Sequence, residues 1–117
     1  MILLLDTPVV VWAESLDDRL GMDTRRLSLD PANELLVSPV SSLELSRLIA
    51  LSRFALRKPL GDWLEEARRN LGFDDARFTH RIAMANYELP GVFHKDPADR
   101  MLVATARQLD VKLLYRR

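Results

Sequence analysis

Short apolar runs that alternate with helix-like stretches are the feature that most restricts how this chain folds. Residues 2–5 form an uninterrupted apolar run, and residues 34–40 and 111–114 are largely apolar runs later in the chain. Parallel strands covered on both faces have continuous apolar sequences, because helices pack against both sides of the sheet. The alternation therefore predicts an α/β domain with a small parallel sheet flanked by helices.

Length and composition indicate one ordinary globular domain. The 117 residues suffice to bury a single core, so we expect one domain over residues 1–117. The formal net charge is zero, which argues against a global attraction to nucleic acid. Cysteine is absent, which excludes disulfides and thiolate metal sites. No apolar run approaches the roughly 18 residues of a membrane span, and no signal peptide is evident, so we expect a cytoplasmic protein without a membrane partner.

Helices are predicted between the strands from apolar periodicity and from capping residues. Thr7 is expected to cap the first helix, with Pro8 in its first turn. Ser41 is expected to begin the helix after the second strand. Further helices are predicted over residues 23–29, 60–71, 79–89 and 97–109, with Gly72 as a C-cap and a third strand left open at residues 73–78.

Acidic residues stand where predicted strands give way to helices. Asp6 follows the first apolar run directly, Glu44 comes shortly after the second, and Asp96 and Asp99 open the helix before the last. The carboxyl ends of parallel strands meet at one edge of a sheet, where ligands bind. Convergent carboxylates repel one another unless they share protons or bind a cation. Oxygen ligands suit Mg²⁺ or Mn²⁺, so the pattern predicts a divalent metal site.

Three of the four acids also have a purely structural interpretation. Asp96 has the position of an N-cap and Asp99 that of the acid in the first helical turn. The spacing from Ser41 to Glu44 matches a capping box. Asp6 differs, because an acid directly after four apolar strand residues is costly to bury without a partner. The residues alone leave capping and function open for the other three.

Three segments of the chain resemble the motifs of the PIN-domain family. Residues 2–7 (ILLLDT) resemble its opening strand and first acid, and residues 37–45 (VSPVSSLEL) resemble its second motif. Residues 94–106 (HKDPADRMLVATA) are similar to the third motif, and in particular to that of the VapC-type toxins of bacterial toxin–antitoxin pairs. The motifs follow in the family's order over almost the whole chain.

The resemblance implies a metal-dependent endoribonuclease, the toxin of a VapBC-type pair. It assigns Asp6, Glu44 and Asp99 to the catalytic site as ligands of Mg²⁺ or Mn²⁺, and adds Asp96 as a further catalytic acid that supports the site or caps the helix. A divalent ion lowers the pKa of a water and stabilises charge on the phosphate. The resemblance also implies an RNA substrate, a cognate antitoxin and a homodimer.

Basic and aromatic residues supply candidates for contacts with RNA and with protein. Lys95 and Arg100 lie within the third motif and are candidates for binding RNA phosphates if they flank the edge of the sheet, although an ordinary solvated surface explains them equally well. Trp12 and Trp63 fall on apolar faces and are predicted core or interface residues. The helices around them and around Ile49 are hypothetical antitoxin contacts.

Two features depart from the family's pattern. Pro8 stands where the first motif usually carries His or Asn. After the last strand the family usually has a Thr- or Ser-containing turn and a fourth acid, whereas residues 113–117 read LLYRR and end. We therefore expect a PIN domain that lacks the usual C-terminal segment. This leaves a second hypothesis, a catalytically impaired module that binds antitoxin or RNA without cleaving.

Overall fold

The molecule is built on a four-stranded sheet. The computed structural model describes residues 1–89 and 96–115. Its strands are β1 (Ile2–Leu5), β2 (Glu34–Val37), β3 (Asp74–Asp75) and β4 (Lys112–Leu114). The strand order is β3-β2-β1-β4, and each neighbouring pair is parallel. The predicted small parallel α/β sheet is therefore confirmed, with the third strand reduced to two residues.

Six α-helices in the described ranges surround this sheet. They are α1 (Thr7–Ser15), α2 (Met22–Leu29), α3 (Pro39–Ala50), α4 (Leu60–Leu71), α5 (His80–Ala85) and α6 (Pro97–Leu109), with a short 3₁₀ helix at Asp18–Leu20. None of the helices in residues 1–89 and 96–115 has the length and apolarity needed to cross a membrane.

Helices cover both faces of the central strand. The side chains of Leu3, Leu4 and Leu5 are completely buried. Leu3 and Leu5 pack with residues of α1 and α4, whereas Leu4 packs with residues of α3 and α6. Successive residues of a strand face opposite sides of the sheet, so an uninterrupted apolar run places apolar side chains on both faces. Each fully buried leucine stabilises the fold by about 1.5–3 kcal/mol.

The parallel order brings three helix N-termini to the carboxyl edge of the sheet. Helices α1 and α3 begin directly after β1 and β2, and α6 returns from this edge to the start of β4. The backbone N–H of Asp6 donates to the carbonyl of Leu114 at 2.9 Å, which joins the ends of β1 and β4. The N-caps of the three helices are Asp6, Ser38 and Asp96.

The predicted start of the second motif's helix was wrong. The helix begins at Pro39 rather than at Ser41, and the preceding strand ends before residue 38. Ser38 is the N-cap, because its hydroxyl accepts a hydrogen bond from the N–H of Val40 at 3.0 Å. Pro39 suits the first helical position, where no N–H is needed. Ser41 and Glu44 therefore lie inside the helix and do not form a capping box.

The predicted cap of the first helix was also wrong. Asp6 is the N-cap, and its carboxylate accepts from the N–H of Thr7 at 2.9 Å. Thr7 is already the first helical residue. The predicted helices at 60–71 and 97–109 are confirmed, as is Gly72 as a left-handed C-cap. The helix predicted over 79–89 is shorter and ends at Ala85.

Candidate functional site

Four carboxyl groups from distant parts of the chain influence one another at the carboxyl edge of the sheet. Asp6 caps α1, Glu44 lies in the second turn of α3, and Asp96 and Asp99 lie at the start of α6. The negative charges of Asp99, Glu44 and Asp96 all raise the pKa of Asp6. The fold thus brings the four acids to the same edge of the sheet, as their positions after the strands suggested, and their joint role in one site stays a prediction.

Asp6 is the most perturbed of these acids. Burial raises its pKa to about 6, the backbone N–H of Thr7 opposes the rise, and the three neighbouring carboxylates add to it. A desolvated carboxyl among like charges favours its neutral form. A pKa this close to neutrality is typical of groups that exchange protons or bind cations in functional sites.

Glu44 is the second perturbed acid. Burial raises its pKa, a hydrogen bond from Thr7 lowers it, the charges of Asp96 and Asp99 raise it, and Arg47 lowers it. Its Oε1 atom is buried and has no hydrogen-bond partner among the residues that the structure describes. A buried carboxylate oxygen without a partner is costly, which favours a proton or a cation at this position.

A buried hydrogen bond holds the two helices that carry these acids. The hydroxyls of Thr7 and Ser41 lie 2.9 Å apart and link the start of α1 to the first turn of α3. Both side chains are almost fully buried. The sequence singled out both residues as helix caps, whereas the structure uses them to fix Asp6 relative to Glu44.

Arg47 is a site residue that the sequence analysis missed. It lowers the pKa of Glu44 and, with Glu44 and Asp96, lines a cleft of about 610 Å³ between α3 and α6. Residues three apart on a helix lie on the same face, so its position after Glu44 was a usable indication. The positive charge of the Arg47 side chain offsets part of the negative charge of the acids that line the cleft.

The start of α6 combines capping with a place in the site. Asp96 accepts a hydrogen bond from the N–H of Ala98 at 2.8 Å, which confirms the capping interpretation, and its charge also acts on Asp6 and Glu44. Asp99 is half-buried in the first turn.

Of the two candidate RNA-binding residues, Arg100 is among the residues that the structure describes. The Arg100 guanidinium carbon lies 5.0 Å from the ring centroid of Tyr87. Tyr87 is itself largely exposed, so this cation and ring form part of the surface beside the first turn of α6. Lys95 lies outside the described residues.

The donor set suits a hard divalent cation in its chemistry. Asp6, Glu44 and Asp99 offer only carboxylate oxygens, the ligands that Mg²⁺ and Mn²⁺ prefer. Within residues 1–89 and 96–115, no three Asp, Glu, His or Cys side chains stand close enough together to enclose an ion. The buried oxygen of Glu44 and the mutual repulsion of the acids fit a cation, and the assignment of ligands stays a prediction.

Comparisons with known proteins agree with the fold and the motifs. The PIN domain family model matches residues 3–116. Ribonuclease VapC22 of Mycobacterium tuberculosis is 33% identical over 103 residues, which are 88% of this chain and 77% of that protein. The fold is similar to a chain in the crystal structure of VapBC2 from Rickettsia felis bound to a DNA fragment from their promoter. That match has a TM-score of 0.63 and 17% identity, and it covers 97% of this chain and 86% of the other. The chain therefore belongs to the PIN domain family, within which it resembles the VapC-type proteins.

Proposed function

We propose that this chain is a metal-dependent endoribonuclease and the toxin of a VapBC-type toxin–antitoxin pair. Its PIN domain and its similarity to Ribonuclease VapC22 support RNA as the substrate. The observation that carries the proposal is the convergence of Asp6, Glu44, Asp96 and Asp99, whose charges act on one another at the edge where ligands bind parallel α/β sheets.

In this proposal Asp6, Glu44 and Asp99 hold Mg²⁺ or Mn²⁺. When bound, the ion lowers the pKa of a water and neutralises charge on the phosphate. Glu44 offers the buried oxygen that has no hydrogen-bond partner in the described part of the chain. Asp96 keeps the first turn of α6 in place through its cap and thereby positions Asp99.

The chain's own residues then determine how RNA is bound and cleaved. Arg47 reduces the repulsion between the acids and an approaching phosphodiester. As ligands, Asp6, Glu44 and Asp99 leave positions on the ion open for water and RNA, and the attacking water loses its proton to bulk solvent. The water oxygen attacks phosphorus, the bond to the leaving ribose oxygen breaks, and no covalent intermediate with the enzyme forms.

The proposed partners are a cognate antitoxin and a second copy of the chain. A VapBC complex among the structural neighbours supports the antitoxin by similarity of fold. Trp12 and Trp63 are half-buried and pack against the core, which confirms their predicted core role and leaves only part of each ring for a partner. Ile49 retains 36% exposure, so its helix face remains a predicted contact.

A cleavage assay with matched variants tests this proposal. The purified, antitoxin-free chain is incubated with mixed RNA with and without Mn²⁺, beside Asp6→Asn, Glu44→Gln and Asp99→Asn. We expect metal-dependent cleavage by the wild type and its loss in each variant. Asp62→Asn, which changes an exposed acid in the first turn of α4, is the control and should cleave normally.

Two results would contradict the proposal. If a folded wild-type chain with Mn²⁺ left RNA intact, the binding-only module would be the better description. If the chain cleaved DNA but not RNA, a nuclease of another role, such as DNA repair, would replace the toxin.

A further inference from the structure

A small apolar cavity lies beside the acidic site, between α1 and α3. Its volume is about 210 Å³, and Thr7 and Glu44 line it together with Trp12, Arg19 and Phe54. Sites for drug-sized ligands measure roughly 300–1,000 Å³, so this cavity suits a single ring-sized group. Thr7 and Glu44 line this cavity and also belong to the acidic site, so the cavity lies directly beside that site.

Arg19 is a fixed cation on this cavity. Its guanidinium carbon lies 5.3 Å from the ring centroid of Trp12. Asp17 holds the same guanidinium in a forked ion pair, with Nη2 to Oδ2 at 2.7 Å and Nε to Oδ1 at 3.1 Å. The Arg19 side chain is nevertheless 69% exposed, so part of its surface remains available to a ligand.

We propose that this cavity is a nucleobase subsite, in which a base flanking the scissile phosphate stacks against Trp12 and Arg19. The inference rests on the proposed ribonuclease function and names a determinant of its substrate. Proteins stack extruded RNA bases on aromatic rings or on arginine planes. Arg19 lies over the Trp12 ring, so the base stacks on the exposed plane of Arg19 and contacts the part of the Trp12 ring that Arg19 and the core leave open.

The position of the cavity favours RNA over a protein segment as its occupant. A phosphate held near Glu44 places the adjoining nucleotide next to the cavity, because Glu44 lines both. The ring-sized volume fits one base, and the exposed plane of Arg19 on its wall can stack on that base. A protein side chain in the same place is an alternative that the experiment must exclude.

The fluorescence of Trp12 provides a local test. The chain has two tryptophans, so Trp63→Phe leaves Trp12 as the sole reporter. Asp6→Asn is added to prevent cleavage, and short single-stranded RNA of mixed sequence is titrated in. We expect base-dependent quenching of Trp12. The same oligonucleotides with abasic sites should bind about five- to a hundredfold more weakly, the range for loss of one stacked base.

Further variants separate stacking from general attraction to charge. Trp12→Leu should abolish the difference between intact and abasic RNA, and Arg19→Gln should weaken binding of the intact RNA more than of the abasic RNA. Arg26→Gln is the matched control, because Arg26 also pairs with an aspartate at 2.9 Å but does not line the cavity. Should Trp12→Leu fail to fold, quenching and Arg19→Gln still decide the question.

The outcomes distinguish this inference from the proposed function. Equal binding of intact and abasic RNA with unchanged Trp12 fluorescence would overturn the subsite, even if the unmodified chain cleaves RNA. Quenching by a protein partner but not by RNA would also overturn it. Base-dependent quenching by a chain that cleaves nothing would support the subsite and refute the nuclease.

Discussion

Replacing Asp6 by asparagine should stabilise the metal-free protein at neutral pH. Burial and the neighbouring carboxylates raise the pKa of Asp6 to about 6 from an ordinary value of 3.8, so its ionised form is disfavoured in the folded chain. Asparagine removes the charge and caps helices as well as aspartate does, so the hydrogen bond from the N–H of Thr7 is kept.

The sign and size of the effect follow from the two pKa values. Between pH 3.8 and about 6 the folded state binds more protons than the unfolded state, so stability falls as the pH rises and the full penalty is present above that window. A difference of roughly two pH units corresponds to about 3 kcal/mol. Because Asp6 is partly exposed, solvent screening reduces this to about 1–2 kcal/mol. The melting temperature at pH 8 should therefore rise by about 4–8 °C.

Thermal melting with a chelator present measures this prediction at pH 4 and pH 8. The rise in melting temperature caused by Asp6→Asn should be present at pH 8 and largely absent at pH 4, because Asp6 is protonated in the folded chain at pH 4. Asp17→Asn is the control of opposite sign, because Arg19 lowers the pKa of Asp17 to about 2 and the substitution should destabilise the protein at both pH values. A gain for Asp6→Asn of equal size at both pH values, or a loss at pH 8, would refute the reasoning.

Three further predictions concern the metal, the buried hydrogen bond and a helix end. Mg²⁺ or Mn²⁺ should raise the melting temperature by binding the folded state, and Asp99→Asn should blunt that rise; an equal rise in the variant would remove Asp99 from the ligands. Thr7→Val should lower the free energy of unfolding, measured in urea, by about 1–3 kcal/mol, because it leaves the buried hydroxyl of Ser41 without its partner. Adding Ser41→Ala should restore part of that stability, whereas additive losses from the two substitutions would contradict the hydrogen bond between them. Gly72→Ala should lower the free energy of unfolding by about 1 kcal/mol, because φ is +73° there. An added Cβ would meet nothing within 4 Å, so the loss would come from the backbone conformation alone. A loss near zero in the same assay would contradict the left-handed cap.

The sequence predicted those elements whose ends are marked locally. The bounds of α4 and α6 were predicted correctly, since their apolar faces are periodic and Gly72 and Pro97 mark an end and a start. The strand predicted from the apolar run 34–40 was too long, because a proline such as Pro39 fits the end of a strand as well as the first position of a helix. The hydrogen bonds from the N–H of Val40 to the Ser38 hydroxyl and from the N–H of Ser41 to the Ser38 carbonyl show that Pro39 begins a helix.

The parts of the site that depend on tertiary contacts could not be predicted. Asp6 was identifiable because an acid directly after a buried strand is costly without a role. The bond between Thr7 and Ser41 joins residues 34 positions apart, and no local pattern encodes it. Arg19, which lines the cavity next to Trp12, follows a turn in which Leu16 adopts a left-handed conformation with φ 55°, which leucine seldom does.

The central claim is that the acids at the carboxyl edge of the sheet cleave RNA with a divalent ion. Its most direct test is the rate of RNA cleavage as a function of Mn²⁺ concentration, measured after chelation for the wild type and for Glu44→Gln. We predict a rate that saturates with Mn²⁺ in the wild type and is absent from the variant. Cleavage that is independent of Mn²⁺ and equal in both proteins, or none by a folded wild-type chain, would contradict the claim.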